Sequence, residues 1–171
     1  HLYVCGELAS SGIMGANRLA SNSLIECLVF GKRAVEDSVR NRREDPIPET
    51  MPLFSLDREK LDAYLSLKNK VADIMTQEAG IIRTENGLQE GLETLLRLEQ
   101  TEIFEENEYY SLVSKNLLTV AELIIRSALF RKESRGGHFR SDYPTPNDDY
   151  VCHIIQQKGK EIKTTPVIQN N

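Results

Sequence analysis

The stretch GIMGANRLASNSLIE, residues 12–26, combines residue types that can hold an anionic ligand. Glycines at positions 12 and 15 let the backbone turn sharply and approach a ligand closely, because no Cβ intervenes. The short polar side chains that follow are suited to capping a helix, and the unpaired N–H groups of a helix N-terminus favour a phosphate, a carboxylate or an anionic ring edge. The residues alone leave two interpretations open, an anion-binding loop or a plain helix cap.

Two charged side chains extend this candidate site. Arg18 carries a planar guanidinium whose paired N–H groups match a carboxylate. Glu7, which follows the first apolar run, can accept hydrogen bonds from sugar or polyol hydroxyls. The stretch is not a dinucleotide-binding fingerprint, because GIMGAN lacks the third glycine of GxGxxG and no second strand ends on an acidic residue about 20 residues later.

The elements that must position these residues begin with HLYVC, which predicts a short buried strand ended by Gly6. After the glycine loop, helical spacing begins at about Ser23 and continues to Arg40. Its predicted apolar face is formed by Leu24, Leu28, Ala34 and Val35. Residues 1–40 therefore have the order strand, glycine loop, helix, as at the C-terminal end of an α/β domain.

Residues 41–55 are predicted to be a linker, because prolines at 46, 48 and 52 exclude a regular element. Three amphipathic helices with short turns follow within residues 56–133, and they predict an antiparallel three-helix bundle. The fold class is therefore mainly α, with the bundle preceded by the strand–glycine loop–helix fragment. The tail, residues 134–171, is irregular at first and then predicts a terminal hairpin from VCHII and EIKTTPVI.

The bundle helices carry recognisable boundaries. Asp57 is the predicted N-cap of the first helix, which runs to about Gln77 before Gly80 ends it. Asn86 with Gln89 resembles a capping pair for the second helix, and the third runs from about Glu108 to Lys132. The predicted core stripes are Leu61, Tyr64, Leu65, Lys68, Val71, Ala72 and Met75; Leu88, Leu92, Leu95, Leu96 and Ile103; and Leu112, Val113, Leu117, Val120, Ala121, Ile124, Ala128 and Leu129.

Composition limits the class of protein. The 171 residues are 40% hydrophobic and 27% charged, as in a globular domain, and the net charge of −5 gives no basic field for nucleic acid. No apolar run approaches the roughly 20 residues that span a bilayer, and the first residues lack signal-peptide features. Cys5, Cys27 and Cys152 show no CxxC spacing, which argues against a disulfide framework or a zinc site. We expect Cys27 to be a small buried hydrophobe, and reduced thiols fit a cytoplasmic location.

The motifs LYVCGE and GxxGANRLASNSLIE resemble the last flavin-contacting segment of the succinate dehydrogenase/fumarate reductase flavoprotein superfamily. The segment ESRGGHFRSDYP is similar to the C-terminal signature of that superfamily, and the helical region between them matches its order of elements. Within the superfamily, ANRLASNSL and the short chain end after SDYP are most similar to the L-aspartate oxidases. Since members are about three times longer, this chain is expected to be a C-terminal third that lacks the diphosphate-binding GxGxxG, the capping domain and the catalytic arginine.

The resemblance implies a role for each candidate site residue. Glu7 would bind the ribityl chain of non-covalent FAD, and the amides of Ser23 and Leu24 would meet the pyrimidine edge of the flavin. Arg18 would bind a carboxylate of the dicarboxylate substrate, and no catalytic residue or metal ligand is expected in this chain. Met14 departs from the histidine that usually precedes GANR, which favours a packing role at that position.

The implied function is that of an FAD-dependent L-aspartate oxidase, which makes iminoaspartate for NAD biosynthesis and passes electrons to O2 or fumarate. The implied partners are the remainder of the flavoprotein, the dicarboxylate substrate and, as a further candidate, quinolinate synthase; the chain alone should be inactive. Two alternatives stay open. One is a soluble fumarate reductase or succinate dehydrogenase flavoprotein, and the other is a non-catalytic helical docking module.

The remaining polar residues are given structural interpretations. His138 with Arg135 and Arg140 could form an anion site, but a polar cluster that ties the tail to the flavin domain is favoured. His153 is predicted to be a strand histidine rather than a ligand or base. The acidic pairs at 105–106 and 148–149 are predicted to be solvated, and Tyr109-Tyr110 should pack at the start of the third helix.

Overall fold

The computed structural model describes residues 2–13, 15–16, 20–42, 55–102, 104–105 and 107–167. The chain divides into two compact units, residues 1–51 and residues 52–171. Both units are mainly helical, which confirms the predicted fold class. The helices are α1 Ala20–Arg40, α2 Arg58–Glu78, α3 Glu85–Thr101 and α4 Tyr109–Phe130; the strands are β1 Cys152–Ile155 and β2 Lys163–Pro166; short 3-10 helices lie at Gly6–Ala9 and Asp148–Tyr150.

The predicted strand at the start of the chain is not formed. Residues 2–5 are irregular and exposed, and the 3-10 helix Gly6–Ala9 follows them directly. A strand needs a neighbour to complete its hydrogen-bond ladder, and the sheet found in the described ranges contains β1 and β2 alone. The predicted strand is therefore wrong in both its pairing and its burial.

Helix α1 is confirmed, although it begins at Ala20 rather than near Ser23. Its predicted apolar face is not covered within the N-terminal unit: Leu24, Leu28 and Val35 are 68%, 67% and 63% exposed. Cys27, predicted to be buried, is exposed as well. The 3-10 helix packs against α1 in this unit, but it is only four residues long and cannot cover a 21-residue helix.

The caps of the bundle helices were predicted with mixed success. Asp57 caps α2 as predicted, with its carboxylate accepting the Glu59 N–H at 2.9 Å. Glu108 caps α4 in the same way. The Asn86–Gln89 capping pair is wrong, because Thr84 is the N-cap of α3 and its hydroxyl accepts the Gly87 N–H at 3.1 Å. Most of the predicted linker, residues 43–54, lies outside the described residues.

Helices α2, α3 and α4 pack against one another in pairs and form the predicted three-helix bundle. Short connections make successive helices antiparallel, so α2 and α4 run in the same direction. A parallel bridge between Ser55 and Glu108 joins the entrances of these two helices, with the Tyr109 N–H donating to the Ser55 carbonyl at 3.2 Å. The buried hydrophobic core lies among the three helices and comprises Leu67, Val71, Ala79, Leu88, Leu95, Leu118, Ala121, Ile125 and Ala128.

The predicted stripes agree with this core only in part. Helix α3 was read well, since Leu88 and Leu95 are buried and Leu92 and Leu96 are half-buried; Ile103 lies outside the described residues. In the other two helices several predicted core residues are exposed, because the stripe was set one or two positions off the buried face. These residues are Leu65, Lys68 and Ala72 on α2, and Leu112, Val120 and Ile124 on α4; the missed core residues are Leu67, Leu118 and Ile125.

The tail confirms the predicted terminal hairpin. Strands β1 and β2 pair antiparallel, with Cys152 opposite Pro166 and Ile155 opposite Lys163. Gln156 holds the hairpin to α4 by donating to the Leu123 carbonyl at 2.8 Å and to the Ser127 hydroxyl at 2.6 Å. The irregular segment before the hairpin contains charged side chains that are fully buried, which the sequence did not predict.

Candidate functional site

The described part of the segment between the 3-10 helix and α1 contains two glycines in a left-handed conformation. Gly12 and Gly15 adopt φ of 78° and 60°, a left-handed region that favours glycine. The Gly15 N–H donates to the Gly12 carbonyl at 3.1 Å, so the loop turns back on itself here. A Cβ built on Gly15 would meet no atom within 4 Å, so the backbone at this position faces open space.

Three of the four predicted site residues lie around this loop. Glu7 is exposed in the 3-10 helix, Ser23 is half-buried and Leu24 is exposed near the start of α1. Because α1 begins at Ala20, Ser23 and Leu24 lie at the junction of its first and second turns, and the terminal N–H groups belong to earlier residues. Arg18, like Met14, lies outside the described residues.

Gly6 is the point where the 3-10 helix meets α1. It is buried and has φ of 73°, and a Cβ at this position would lie 2.8 Å from the Cys27 Sγ. A side chain here would therefore clash as well as strain the backbone. Gly6 was predicted only to end a strand; in the structure this glycine, next to Glu7, allows the 3-10 helix and α1 to approach each other.

Sequence reasoning also missed a contact between the loop and α1. The Ser11 hydroxyl donates to Glu26 Oε1 at 2.5 Å, and the Ile13 N–H lies 3.5 Å from the same hydroxyl oxygen. Glu26 is only 6% exposed, although neighbouring leucines of α1 are exposed. No sequence signal links the two residues, which are fifteen positions apart.

A second polar cluster, in the tail, is organised around the Glu133 carboxylate. Glu133 is fully buried and pairs with Arg131 at 2.6 Å and with Arg135 at 3.0 Å. It also accepts the Asn147 N–H at 2.8 Å. Burial alone would raise the pKa of Glu133, but the hydrogen bonds from Arg135, Asn147 and Arg131 outweigh it and lower the pKa. The carboxylate is therefore charged and fully satisfied.

Arg140 is the other buried charge of the tail. Its guanidinium pairs with Asp142 at 2.6 Å and with Glu85 at 3.3 Å, and it donates to the Ala128 carbonyl at 3.0 Å. The Arg140 hydrogen bonds lower the pKa of Asp142 to about 2. Since Glu85 begins α3 and Ala128 is near the end of α4, this side chain fastens the tail to two bundle helices.

His138 does not form an anion site with Arg135 and Arg140, since each arginine is paired with a carboxylate of its own. The imidazole Nδ1 lies 2.9 Å from the Arg83 guanidinium, and Nε2 lies 3.0 Å from the Arg131 carbonyl. Because a guanidinium can only donate, Nδ1 accepts and Nε2 carries the proton. Burial, together with the nearby arginine charges, lowers the pKa of His138. The described contacts therefore tie the tail to the bundle.

The remaining polar residues singled out in the sequence have structural positions and no described site. His153 is an exposed residue of β1, as predicted, and Tyr110 stacks on Tyr64 with ring centroids 6.0 Å apart. Asp148 and Asp149 are exposed, whereas Glu105 pairs with Lys60 at 2.6 Å. Within the described residues, no group of three or more histidine, cysteine or carboxylate side chains is arranged to hold a metal. None of the helices in those ranges combines the length and apolar character needed to cross a membrane.

The sequence model of the fumarate reductase flavoprotein C-terminal family matches residues 68–171. The chain belongs to this family. The matched residues of this chain include the second half of α2, all of α3 and α4, and the tail with Glu133, His138 and Arg140. The sequence resemblance of ESRGGHFRSDYP to the superfamily signature is therefore confirmed at the level of the family.

Family relatives are similar over nearly the whole chain. The chain is 36% identical to an L-aspartate oxidase of Nostoc sp. over 92% of its length, and 36% identical to an L-aspartate oxidase of Acinetobacter baylyi over 97%. Among solved structures, a quinol fumarate reductase variant of E. coli superposes with a TM-score of 0.73 and 25% identity, covering 99% of this chain and 34% of that one. The chain spans about a third (32%) of the length of each of these two L-aspartate oxidases.

Proposed function

We propose that this chain is the C-terminal third of an FAD-dependent L-aspartate oxidase, an enzyme that converts L-aspartate to iminoaspartate and passes two electrons to O2 or fumarate. The observation that carries this proposal is the 36% identity to L-aspartate oxidases over more than nine-tenths of the chain. The similarity includes the N-terminal unit with its glycine loop, not only the bundle, since residues 1–51 make up more than a quarter of the chain.

The residues of the N-terminal unit suit one side of a flavin site. Left-handed glycines at 12 and 15 expose backbone that a planar ring system can approach, and Glu7 offers an exposed carboxylate acceptor near the loop. In this proposal Glu7 binds the ribityl hydroxyls, and the N-terminal part of α1, at Ser23 and Leu24, meets the pyrimidine edge. The flavin, bound without a covalent link, supplies the acceptor for the two electrons that leave the substrate.

Arg18 is the proposed substrate-binding residue of this chain. It lies two positions before α1, between the left-handed Gly15 and the helix. A guanidinium there can bind one carboxylate of L-aspartate in a bidentate manner and so fix the orientation of the Cα–H bond toward the flavin. The catalytic proton acceptor and the diphosphate-binding loop are assigned to the other two thirds of the enzyme.

The proposal includes the surroundings of this enzyme. Residues 1–40 belong to its FAD-binding domain, and the remaining flavoprotein is the main partner of the chain. The unstable imine product is consumed in NAD biosynthesis, with quinolinate synthase as the candidate recipient in the cytoplasm. The 171-residue chain alone is expected to bind FAD weakly or not at all and to show no turnover, because half of the site is supplied by other residues.

Turnover assays on the full-length parent test the proposal. The purified parent should form hydrogen peroxide from L-aspartate in air, and without O2 it should reduce fumarate with L-aspartate as the electron donor. A parent that forms no peroxide from L-aspartate, yet reduces fumarate rapidly with an artificial donor, would be a fumarate reductase or succinate dehydrogenase flavoprotein instead. A parent with neither activity would favour the docking module.

A further inference from the structure

Two short extended segments lie side by side where the turn between α2 and α3 meets the tail. Arg83 and Arg140 form a parallel bridge. The Arg83 N–H donates to the Phe139 carbonyl at 3.1 Å, and the Ser141 N–H donates to the Arg83 carbonyl at 2.9 Å. Side chains alternate between the two faces of such a pair. Ile82 and Phe139, which precede the bridged arginines, therefore occupy neighbouring positions on the face away from Arg140.

The two faces of this pair differ in exposure. On the inner face Arg140 is fully buried and Arg83 is half-buried, whereas on the outer face Ile82 is 65% and Phe139 is 40% exposed. Ile81, in the same turn, is 88% exposed. Each such side chain would gain roughly 1.5–3 kcal/mol by full burial, so a group of three in solvent is unfavourable for an isolated domain. We call Ile81, Ile82 and Phe139 the apolar patch.

Hydrogen bonds from the inner side fix the direction of the apolar patch. Arg83 Nε donates to the Ala79 carbonyl at 3.1 Å and to the Gly80 carbonyl at 3.0 Å, so this side chain folds back onto the turn that carries both isoleucines. Its Nη1 donates to His138 Nδ1 at 2.9 Å, directly before Phe139. The turn and the tail are therefore held together behind the patch. Contiguous apolar side chains presented in this way are typical of an interaction surface.

The lengths of the relatives indicate what covers the apolar patch. Two L-aspartate oxidases align with this chain over 32% of their own length, and the E. coli fumarate reductase superposes on it with 34% of its own residues. A parent of that length has about two thirds of its residues outside this chain. Since those residues are covalently linked to the bundle, their effective concentration is high, and a small apolar surface is enough to hold them.

A second copy of the chain fits the apolar patch less well. A stable dimer buries about 800 Å² of each partner, on the order of 20–30 residues a side, and the patch has three side chains. Separate molecules must also offset the translational and rotational freedom that they lose on association. Both copies would in addition carry a net charge of −5, which opposes their approach.

We propose that Ile81, Ile82 and Phe139 form the surface on which the two thirds of the flavoprotein outside this chain dock, through an apolar surface of their own. This inference rests on the proposed function, because it takes the chain to be the C-terminal third of a longer flavoprotein. It also gives the segment ESRGGHFRSDYP a role outside the flavin site: the buried charges of Glu133 and Arg140 hold the tail so that Phe139 faces outward.

Cysteine labelling tests whether the apolar patch is covered in the full-length parent. Ile82→Cys and Phe139→Cys are each made in the parent and in the 171-residue chain, and the reaction of the new thiol with a maleimide is followed by mass spectrometry of its peptide. We expect each thiol to react on the order of 10-fold more slowly in the parent, because the reagent reaches it only when the docked part opens. Equal rates in the two proteins would overturn the inference.

Leu56→Cys is the matched control for the labelling. Leu56 is 72% exposed and lies before α2, whereas the apolar patch lies after it, and a helix of 21 residues is about 30 Å long. This thiol should react at similar rates in the parent and in the 171-residue chain. If it is protected in the parent as strongly as the patch thiols, coverage is not specific to the patch and the inference fails.

A charge on the apolar patch tests whether the patch itself makes the contact. Ile81→Asp should raise the labelling rate of Phe139→Cys in the parent several-fold, because burying a carboxylate in an apolar interface is costly. The same substitution should not raise that rate in the 171-residue chain, where Ile81 is already exposed. An unchanged rate in the parent would contradict the proposal. Protection that disappears when the parent is diluted would assign the patch to a contact between copies instead.

These rates separate the inference from the proposed function, since they are measured without substrate. If the patch thiols are unprotected in a parent that oxidises L-aspartate, the docking surface is wrong and the proposed function stands. If they are protected in a parent that does not oxidise L-aspartate, the docking surface stands and the proposed function is wrong.

Discussion

The two units of this chain distribute polar and apolar side chains in opposite ways. The unit of residues 52–171 has a conventional hydrophobic core among three helices and adds buried charges that are fully paired, Glu133 and Arg140. The unit of residues 1–51 buries Gly6 and Glu26 among its described residues and exposes the leucines of α1. The first arrangement is that of a self-supporting domain, and the second leaves the apolar side chains of a helix uncovered.

This difference teaches where stability and function lie in the chain. Burial of apolar side chains is the main source of folding free energy, and the described contacts place nearly all of it in the bundle. The residues proposed to bind flavin and substrate lie in the unit that has little of it. We therefore expect changes in the bundle and tail to affect folding, and changes in the glycine loop to affect binding.

The largest difference between the two units should appear when each is produced alone and its thermal unfolding is measured. A protein of residues 52–171 should unfold in one cooperative thermal transition followed by circular dichroism. Residues 1–51 alone should show low helicity and no transition, since a single helix without a covering partner is marginal in water. If monomeric residues 1–51 unfold cooperatively, or if residues 52–171 do not, then folding stability is not concentrated in the bundle.

A leucine-to-alanine substitution should lower the free energy of unfolding much more in the bundle than in α1. Leu88→Ala removes a fully buried side chain and should lower the free energy of unfolding by about 4 kcal/mol in urea titrations of the 171-residue chain. Leu28→Ala, at a leucine that is 67% exposed, should change it by less than about 0.5 kcal/mol. Equal losses would mean that α1 is packed as tightly as the bundle.

Removing a buried carboxylate of the tail should also cost more stability than removing an exposed carboxylate of α1. Glu133→Ala leaves the Arg131 and Arg135 guanidinium groups without their buried partner, and it should lower the free energy of unfolding by about 3 kcal/mol. Glu36→Ala on α1 removes an exposed pair with Lys32 and should cost less than about 0.5 kcal/mol. If both substitutions are tolerated equally, the tail cluster does not fasten the tail to the bundle.

The smallest expected effect is a pH dependence of the free energy of unfolding, which we assign to His138 in the tail. The pKa of His138 is lowered by burial and by Arg83, Arg131 and Arg140, so the unfolded chain binds a proton more readily than the folded one. The free energy of unfolding should therefore fall as the pH drops below about 6.5, the ordinary histidine value, and stop falling below the folded pKa. His138→Gln should flatten this slope between pH 7.5 and 5.5.

His153→Gln is the matched control for that experiment, because His153 is exposed on β1 and makes no described contact with the arginine cluster. The two variants are compared by urea titration at each pH. A slope that survives in His138→Gln, or that disappears in His153→Gln, would contradict the assignment of the effect to the tail.

Sequence alone predicted the helical order well because helix signals are local. Asp57 caps α2 through a hydrogen bond two residues away, and the stripe of α3 has one clear apolar face. The choice of Thr84 over Asn86 as the cap of α3 was not decided by local pattern, since both residues can cap. The structure adds a tertiary contact at that point, with the Glu85 N–H donating to Asp142 at 2.9 Å.

The missed features depend on distant residues. Helix α4 is apolar on several sides, so its periodicity did not select Leu118 and Ile125 over Val120 and Ile124. The burial of Arg140 depends on Glu85, which is 55 positions away. The Ser11–Glu26 contact joins a loop to a helix and has no periodic signature, so only the structure could reveal it.

We propose that this chain supplies one side of a substrate site through Arg18, and the kcat/KM of the full-length parent for L-aspartate measures that role directly. Arg18→Leu should lower it by about 100-fold, the scale expected for losing a bidentate charged contact, with flavin content unchanged. Arg33→Leu, at an exposed arginine of α1, should leave it within about two-fold of the wild type. A wild-type kcat/KM in Arg18→Leu would show that Arg18 does not bind the substrate.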